Sequence, residues 1–183
     1  AALFNGSEYI NLGNTTDFGF TNEMTISLWV YLNTLPSANN YDLVNRYIDG
    51  NFDSFSLFIF ATTDDVRFCT YNPSASCVNT TESIKTGQWT HIAVAYNASN
   101  TTATLYVNGI PNKTVTTMGS IAIRRQINIT IGGSPSITDF SKLTMDEVGL
   151  WKRVLSSQEI FDIYNGTFNI TENGFTNNTF VKF

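Results

Sequence analysis

The stretch Thr25-Ile26-Ser27-Leu28-Trp29-Val30-Tyr31-Leu32 puts an aliphatic side chain at every even position and a polar or aromatic one at every odd position. Successive side chains of a strand point to opposite faces, so this alternation marks a half-buried β-strand whose even residues face a core. The same period recurs along the chain. Ile127, Ile129 and Ile131 alternate with Asn128 and Thr130 just before Gly132-Gly133. Phe55, Leu57 and Ile59 alternate with Ser56, Phe58 and Phe60, a strand covered on both faces. Residues 89–96 and 102–108 read as two further strands joined by a polar turn at 97–101, and 143–151 as another. Asn108-Gly109 is a strong turn signal and places the next strand near 113–118. Regularly spaced short strands of this kind specify an all-β fold, a sandwich or a barrel.

One segment has a different period. Ser156-Ser157-Gln158-Glu159 has the form of a capping box, with Ser156 as N-cap and Glu159 three residues on. Leu155 and Ile160 are spaced as a hydrophobic staple, and Gly166 follows as a C-terminal cap. Ile160, Phe161 and Tyr164 supply the apolar face of one short helix lying across the sandwich. The tail beyond it, 167–183, is rich in Asn, Thr and Phe and ends in the strand-like Thr179-Phe180-Val181-Lys182-Phe183. It is expected to be an extra strand, a linker, or a strand given to a neighbour.

The 183 residues, 42% of them hydrophobic, suffice for one sandwich domain with a substantial core. Charged residues make up only 14%, well under the roughly 25% usual in soluble domains, and Asn, Thr and Ser carry the polar surface instead. A net charge of −5 excludes a nucleic-acid partner, for which the single basic pair Arg124-Arg125 is no substitute. No apolar run approaches the roughly 18 residues of a membrane span, so no membrane insertion is expected. No leader pattern precedes the first strand, as expected of a mature chain or an excised domain.

Asn-X-Ser/Thr acceptor triplets begin at Asn5, Asn14, Asn79, Asn97, Asn100, Asn112, Asn128, Asn165, Asn169 and Asn177. Random placement of 21 Asn among 40 Ser or Thr in 183 residues gives about 4.6 such triplets, and ten are present. The excess points to an N-glycosylated protein that is extracellular or on a cell or virion surface. Cys69 and Cys77 flank a turn containing Asn72-Pro73, where an oxidising compartment permits a disulfide; two separate buried thiols are the other reading. His91 is the only histidine, so no structural zinc set exists.

Several runs together resemble a known family. Leu3-Phe4-Asn5-Gly6-Ser7-Glu8-Tyr9-Ile10-Asn11-Leu12 is similar to the opening of laminin-G-like, concanavalin A-like jelly rolls, and Thr25–Val30 to their second strand. Gly87-Gln88-Trp89-Thr90-His91-Ile92-Ala93-Val94, then Leu105-Tyr106-Val107-Asn108-Gly109, resembles their central strands. Met145-Asp146-Glu147-Val148-Gly149-Leu150-Trp151, followed by Arg153-Val154-Leu155-Ser156 and Glu159-Ile160, resembles their closing strand and helix. The likeness spans residues 1–166 with its motifs in order. It implies a two-sheet antiparallel β-sandwich with one short C-terminal helix, and binding of carbohydrate or protein. Fold alone does not assign function.

The resemblance also implies a structural calcium where the first and closing strands meet, with Asp146 as ligand and Asn5 and Gly6 giving carbonyl oxygens. Asn5 stands where a frequent family Asp is found, and it also begins an acceptor triplet. Asp49-Gly50-Asn51-Phe52-Asp53 opens like a calcium loop but lacks the later Gly and Glu, and reads as a plain acidic loop. A sugar site needs aromatic faces, for which Tyr31, Tyr41, Tyr47, Phe58 and Tyr106 are candidates because they fall on polar-face or loop positions. Trp29, Trp89 and Trp151 match family positions that serve packing. The Glu-X-Asp-X-Glu run of the family's glucanases is absent, and His91 reads as a packed strand residue, so no enzyme is expected. Two functions follow from this reading: a lectin-like adhesion module, or a structural subunit of a filament, sheath, surface layer or capsid that self-assembles through its terminal strand.

Overall fold

Met24, Ile26, Leu28, Val30 and Leu32 are all buried in one core, as their alternation requires. The structure, a computed structural model, describes residues 1–14, 22–48, 51–72, 74–121, 127–168 and 179–181. The chain begins β1 (Ala2–Asn5), β2 (Ile10–Gly13), β3 (Glu23–Leu32), β4 (Tyr41–Ile48), β5 (Asn51–Ile59), β6 (Asp65–Tyr71), β7 (Ala75–Ser83) and β8 (Trp89–Asn97). It continues β9 (Thr102–Val107), β10 (Ile110–Val115), β11 (Ile129–Ile131), β12 (Gly133–Ser134), β13 (Asp139–Phe140), β14 (Lys142–Trp151), α1 (Ser157–Tyr164) and β15 (Thr179–Val181).

Among the described residues, a seven-stranded antiparallel sheet in the order β1-β14-β3-β8-β9-β10, with β15 added to β14, packs on a six-stranded sheet in the order β2-β11-β4-β5-β6-β7. This is the expected jelly-roll sandwich. Ile26, Leu28 and Val30 of β3, Ile92 and Val94 of β8 and Leu143 and Met145 of β14 meet Phe55, Leu57, Phe68 and Ile131 of the facing sheet. Cys69 and Cys77 pair directly across the β6–β7 hairpin and are disulfide-bonded.

The strand after Asn108-Gly109 starts earlier than its polar sequence suggests, at Ile110 rather than near residue 113. Asn108 and Gly109 both have positive φ, 50° and 76°, the geometry of a two-residue hairpin turn that leaves no spacer. Gly109 is also packed against α1: a Cβ there would lie 2.9 Å from Tyr164 Cβ. The tail strand β15 pairs with β14 of its own chain, Val181 opposite Val148 and Thr179 opposite Leu150. No helix among the described residues is long and apolar enough to cross a membrane.

The outer face of the seven-stranded sheet is half covered. Residues 152–156 and α1 lie across it, enclosing a second core of Ala93, Ala95, Tyr106, Trp151, Leu155 and Ile160. Thr25 clasps this layer: its hydroxyl donates to the Arg153 carbonyl at 2.8 Å and accepts the Leu155 N–H at 2.9 Å. Ser156 and Glu159 form the expected capping box, and Arg153 grips Glu159 with two bonds of 3.0 and 2.7 Å.

The disulfide closes a loop with a sequence separation of eight. Loop-closure entropy then assigns it about 2–3 kcal/mol. Urea denaturation with and without a thiol reductant should show that loss, and Cys69→Ser with Cys77→Ser should reproduce it while the far-ultraviolet spectrum keeps its β form.

Candidate functional site: an aromatic cleft beside the helix

Past the end of α1, the described residues leave the outward side chains of the central strands half-buried to exposed, except for the buried His91. Cross-strand register sets them in two rows: Asp146, Trp29 and His91 in one, Thr144, Tyr31 and Trp89 in the next. The end of α1 forms one wall and a bulge in β14 the other. Together Trp29, Trp89, Asp146, Glu147, Tyr164 and Asn165 line a cleft of about 480 Å³, a size within the usual range for small-ligand sites.

Trp89 is 43% exposed, the largest aromatic surface in the cleft, and its ring lies 5.7 Å from Tyr31. Trp29 is half-buried and stacks on Tyr164 at 5.5 Å and 23°. Tyr164 reaches the sheet because the Asn108-Gly109 hairpin seats its Cβ, with glycine the one residue that clears it. An edge-and-face aromatic group of this kind offers both a stacking surface and ring edges to a ligand.

The β14 bulge supplies the polar groups. Its register shifts between Asp146 and Gly149, and Glu147 has φ 50°, a left-handed conformation costly for a residue with a Cβ. The Asp146 carboxylate accepts the Glu147 N–H at 2.9 Å and holds that turn. Glu147 is exposed and Asp146 half-buried. The described residues that line the cleft include two carboxylates and no lysine or arginine.

His91 lies fully buried beneath the aromatics, 5.3 Å from Trp29 and 5.9 Å from Tyr164. Its Nε2 is 2.8 Å from Ser27 Oγ, and its Nδ1 has no partner among the described residues. Burial pushes its pKa down to about 4, so it is a neutral floor residue. This agrees with the expectation of a packed strand histidine.

The candidate residues fall in different places. Tyr31 lines the aromatic group. Tyr41 is buried in the core and bonded through its hydroxyl to Thr34 at 3.2 Å. Tyr106 is buried under α1, its hydroxyl 3.1 Å from Ser157 Oγ, and Phe58 is buried against Phe60. These three are packing residues. The side chain of Tyr47 lies outside the described residues. Conversely, Trp29 and Trp89, expected to pack, form the cleft, while Trp151 is buried as expected. Odd-numbered aromatics on adjacent strands were the available signal for this face.

Asp146, Asn5 and Gly6 do not share a site. Asn5 pairs with Lys142, four positions along β14 from Asp146, or about 13 Å at a strand's rise. Lys142 also lies on Gly6, where a Cβ would meet its Cε at 2.5 Å, and brings a cation to the place expected for a metal. The residues present do not fit the calcium that the resemblance implies. No three His, Cys, Asp or Glu side chains gather for a metal among the described residues. Residues 49 and 50 of the acidic loop lie outside them. Of the acceptor asparagines, Asn5, Asn79, Asn100, Asn128 and Asn165 are exposed and Asn14, Asn97 and Asn112 half-buried; Asn169 and Asn177 lie outside the described residues.

The family model described as the concanavalin A-like lectin/glucanases superfamily, of laminin-G type, matches residues 4–161. The chain belongs to this superfamily. No curated protein matches it. Among solved members of the fold, domain 4 of AbnA, an extracellular arabinanase from Geobacillus stearothermophilus in complex with arabinotriose, superposes with TM-score 0.69 and 22% identity over 90% of this chain and 76% of that one. The CBM40 of the Ruminococcus gnavus IT-sialidase, bound to α2,3-sialyllactose, gives 0.62 and 16% over 86% and 96%. A botulinum neurotoxin type C structure, whose cell entry depends on two ganglioside molecules, gives 0.68 and 17% over 90% of this chain and 42% of that one. At these identities the superfamily jelly roll is what is shared.

The buried imidazole makes stability pH-dependent. The unfolded chain takes up a proton near the ordinary value of 6.5 and the folded one only near 4, so stability is complete above about pH 6.5 and falls toward pH 4. The full loss is about 3 kcal/mol at 1.36 kcal/mol per unit. Asp42 acts in the opposite sense, because burial first and the nearby Asp139 second push its carboxyl well up. Denaturation of wild type and His91→Gln at pH 7 and 4.5 separates the two: the gap between the proteins should shift by a large part of that amount, and an unchanged gap would refute a neutral, buried His91.

Proposed function

We propose that this chain is a non-catalytic carbohydrate-binding module of an extracellular glycoprotein, and that its ligand is a neutral glycan held in the Trp29–Trp89 cleft. The observation that carries this reading is the exposed Trp89 ring, set with Tyr31, Trp29 and Tyr164 on one face and edged by two carboxylates and an amide. Pyranose rings present C–H faces that stack on aromatic rings, and their hydroxyls donate to carboxylate and amide oxygens. The ligands of the structural relatives, arabinotriose and sialyllactose, support carbohydrate as the ligand class.

Charge narrows the class. A sialic-acid carboxylate entering beside Asp146 and Glu147 meets like charge, with no arginine or lysine among the described residues lining the cleft. At about 4 Å each such contact costs about 1 kcal/mol in water and up to about 4 kcal/mol at a partly desolvated surface. The site therefore disfavours the acidic sugar that the sialidase module binds. Catalysis has little support, because Asp146 and Glu147 are neighbours on one wall, whereas glycoside hydrolysis uses two carboxylates flanking the scissile bond. Each described acceptor asparagine reaches solvent, which supports a glycosylated, secreted chain. The assembly reading has less support: β15 is already hydrogen-bonded to its own β14.

Screening against paired neutral and sialylated oligosaccharides, followed by calorimetry, tests the reading. Trp89→Ala should weaken binding at least about tenfold, a loss of about 1.4 kcal/mol, while Tyr41→Phe leaves it unchanged. Asp146→Asn with Glu147→Gln should shrink the preference for the neutral glycan. Wild-type affinity in Trp89→Ala would remove the cleft from the function.

A further inference from the structure

The wall of the cleft contains a residue with a second chemistry. Asn165 caps the C-terminus of α1, is exposed, and begins the acceptor triplet Asn165-Gly166-Thr167. Its backbone is tied down: the N–H donates to Phe161 O at 3.0 Å, and Thr167 N–H and Oγ1 both reach Asp162 O, at 2.9 and 3.3 Å. Its carboxamide forms no hydrogen bond among the described residues, whereas several other acceptors are engaged. The Asn112 oxygen accepts the Thr81 N–H at 2.8 Å, the Asn14 oxygen accepts Arg46 at 2.7 Å, and Asn97 donates to Glu23 at 3.3 Å. Asn165 is thus a free acceptor amide standing beside Trp29, Trp89 and Tyr164.

We propose that Asn165 carries an N-linked glycan whose first sugar lies in the cleft, so that the chain's own glycan competes with an external ligand for Trp29 and Trp89. The inference rests on the reading of the cleft as a sugar-accepting surface. The modification joins Asn165 Nδ2 to the anomeric carbon of an oligosaccharide delivered on a polyprenyl pyrophosphate; the lipid pyrophosphate leaves and the amide gives up one proton. A sugar tethered to the wall has a high effective concentration at the aromatic rings, so even weak stacking fills the site. Glycosylation state then sets whether the cleft is open.

The full chain should be made in a glycosylating eukaryotic host and compared with Asn165→Gln and Thr167→Ala, which remove the acceptor triplet in two different ways. Mass spectrometry of glycopeptides should show occupancy at Asn165. Acrylamide quenching of tryptophan fluorescence, with Trp89→Phe to identify the Trp89 signal, should be low in the glycosylated protein and rise to the same level in both variants. An unoccupied Asn165, or an occupied one that leaves Trp89 as accessible as in the variants, would overturn the proposal. Binding of neutral oligosaccharides is read separately in Thr167→Ala, which loses the acceptor triplet but keeps the Asn165 amide in the cleft wall. If Trp89 is unshielded yet the variant binds, only this proposal fails; if Trp89 is shielded yet the variant binds nothing, the binding-module reading fails and the glycan cradle stands.

Discussion

The hydroxyl of Thr25 decides how much of this sheet is covered. By bonding both Arg153 O and Leu155 N–H, it fixes the segment that leads into α1. The helix then lies over Ala93, Ala95 and Tyr106 and runs out at Tyr164. Beyond that point, among the described residues, Trp89 is exposed and Trp29 and Tyr31 are half-buried. The cleft is therefore the part of a covered sheet that the helix is too short to reach. The helix is bounded by its capping box at the N-terminus and by the Asn108-Gly109 hairpin under Tyr164 at the end that borders the cleft.

The fold was legible because period-2 alternation is a local property that burial enforces along each strand. Even residues of β3 enter the core whatever lies on the other side. The helix was legible for the same reason, since Ser156 and Glu159 cap it without help from distant residues. The site was not, because alternation names the face a residue occupies and not what covers that face. Tyr106, Tyr31 and Trp89 all lie on the outer face; α1 buries the first and leaves the other two at least partly open. Of the other candidates, Tyr41 on β4 faces the core, and Phe58 on the outer face of β5 is buried. The calcium set failed on register, a non-local quantity: Asn5 pairs with Lys142, and that pairing separates it from Asp146.

Bulges were also beyond local reading. Asp146-Glu147 looks like two consecutive strand residues, one of which ought to face inward. The structure turns both off the core side by giving Glu147 a left-handed backbone, and Met145 and Val148 remain buried on either side. The extra residue lets β14 keep its core contacts while presenting two carboxylates beside Trp29. Strain of this sort persists where surrounding structure overdetermines it, here the β3 pairing on one edge and β15 on the other.

The same bulge argues for what enters the cleft. A site built only for apolar contact gains nothing from two carboxylates, since each must lose water when a ligand covers it and recovers that cost only through donors on the ligand. Hydroxyl-rich ligands supply donors and, on their other face, C–H groups for the tryptophans. A cationic ligand would satisfy the carboxylates but leave Trp89 to be covered by whatever apolar surface it carries; an anionic one satisfies neither. The neutral glycan matches both halves of the surface at once. A buried, uncharged His91 beneath the rings fits this picture, for a protonated imidazole under the aromatics would offset the negative edge on which the proposed hydroxyl recognition depends.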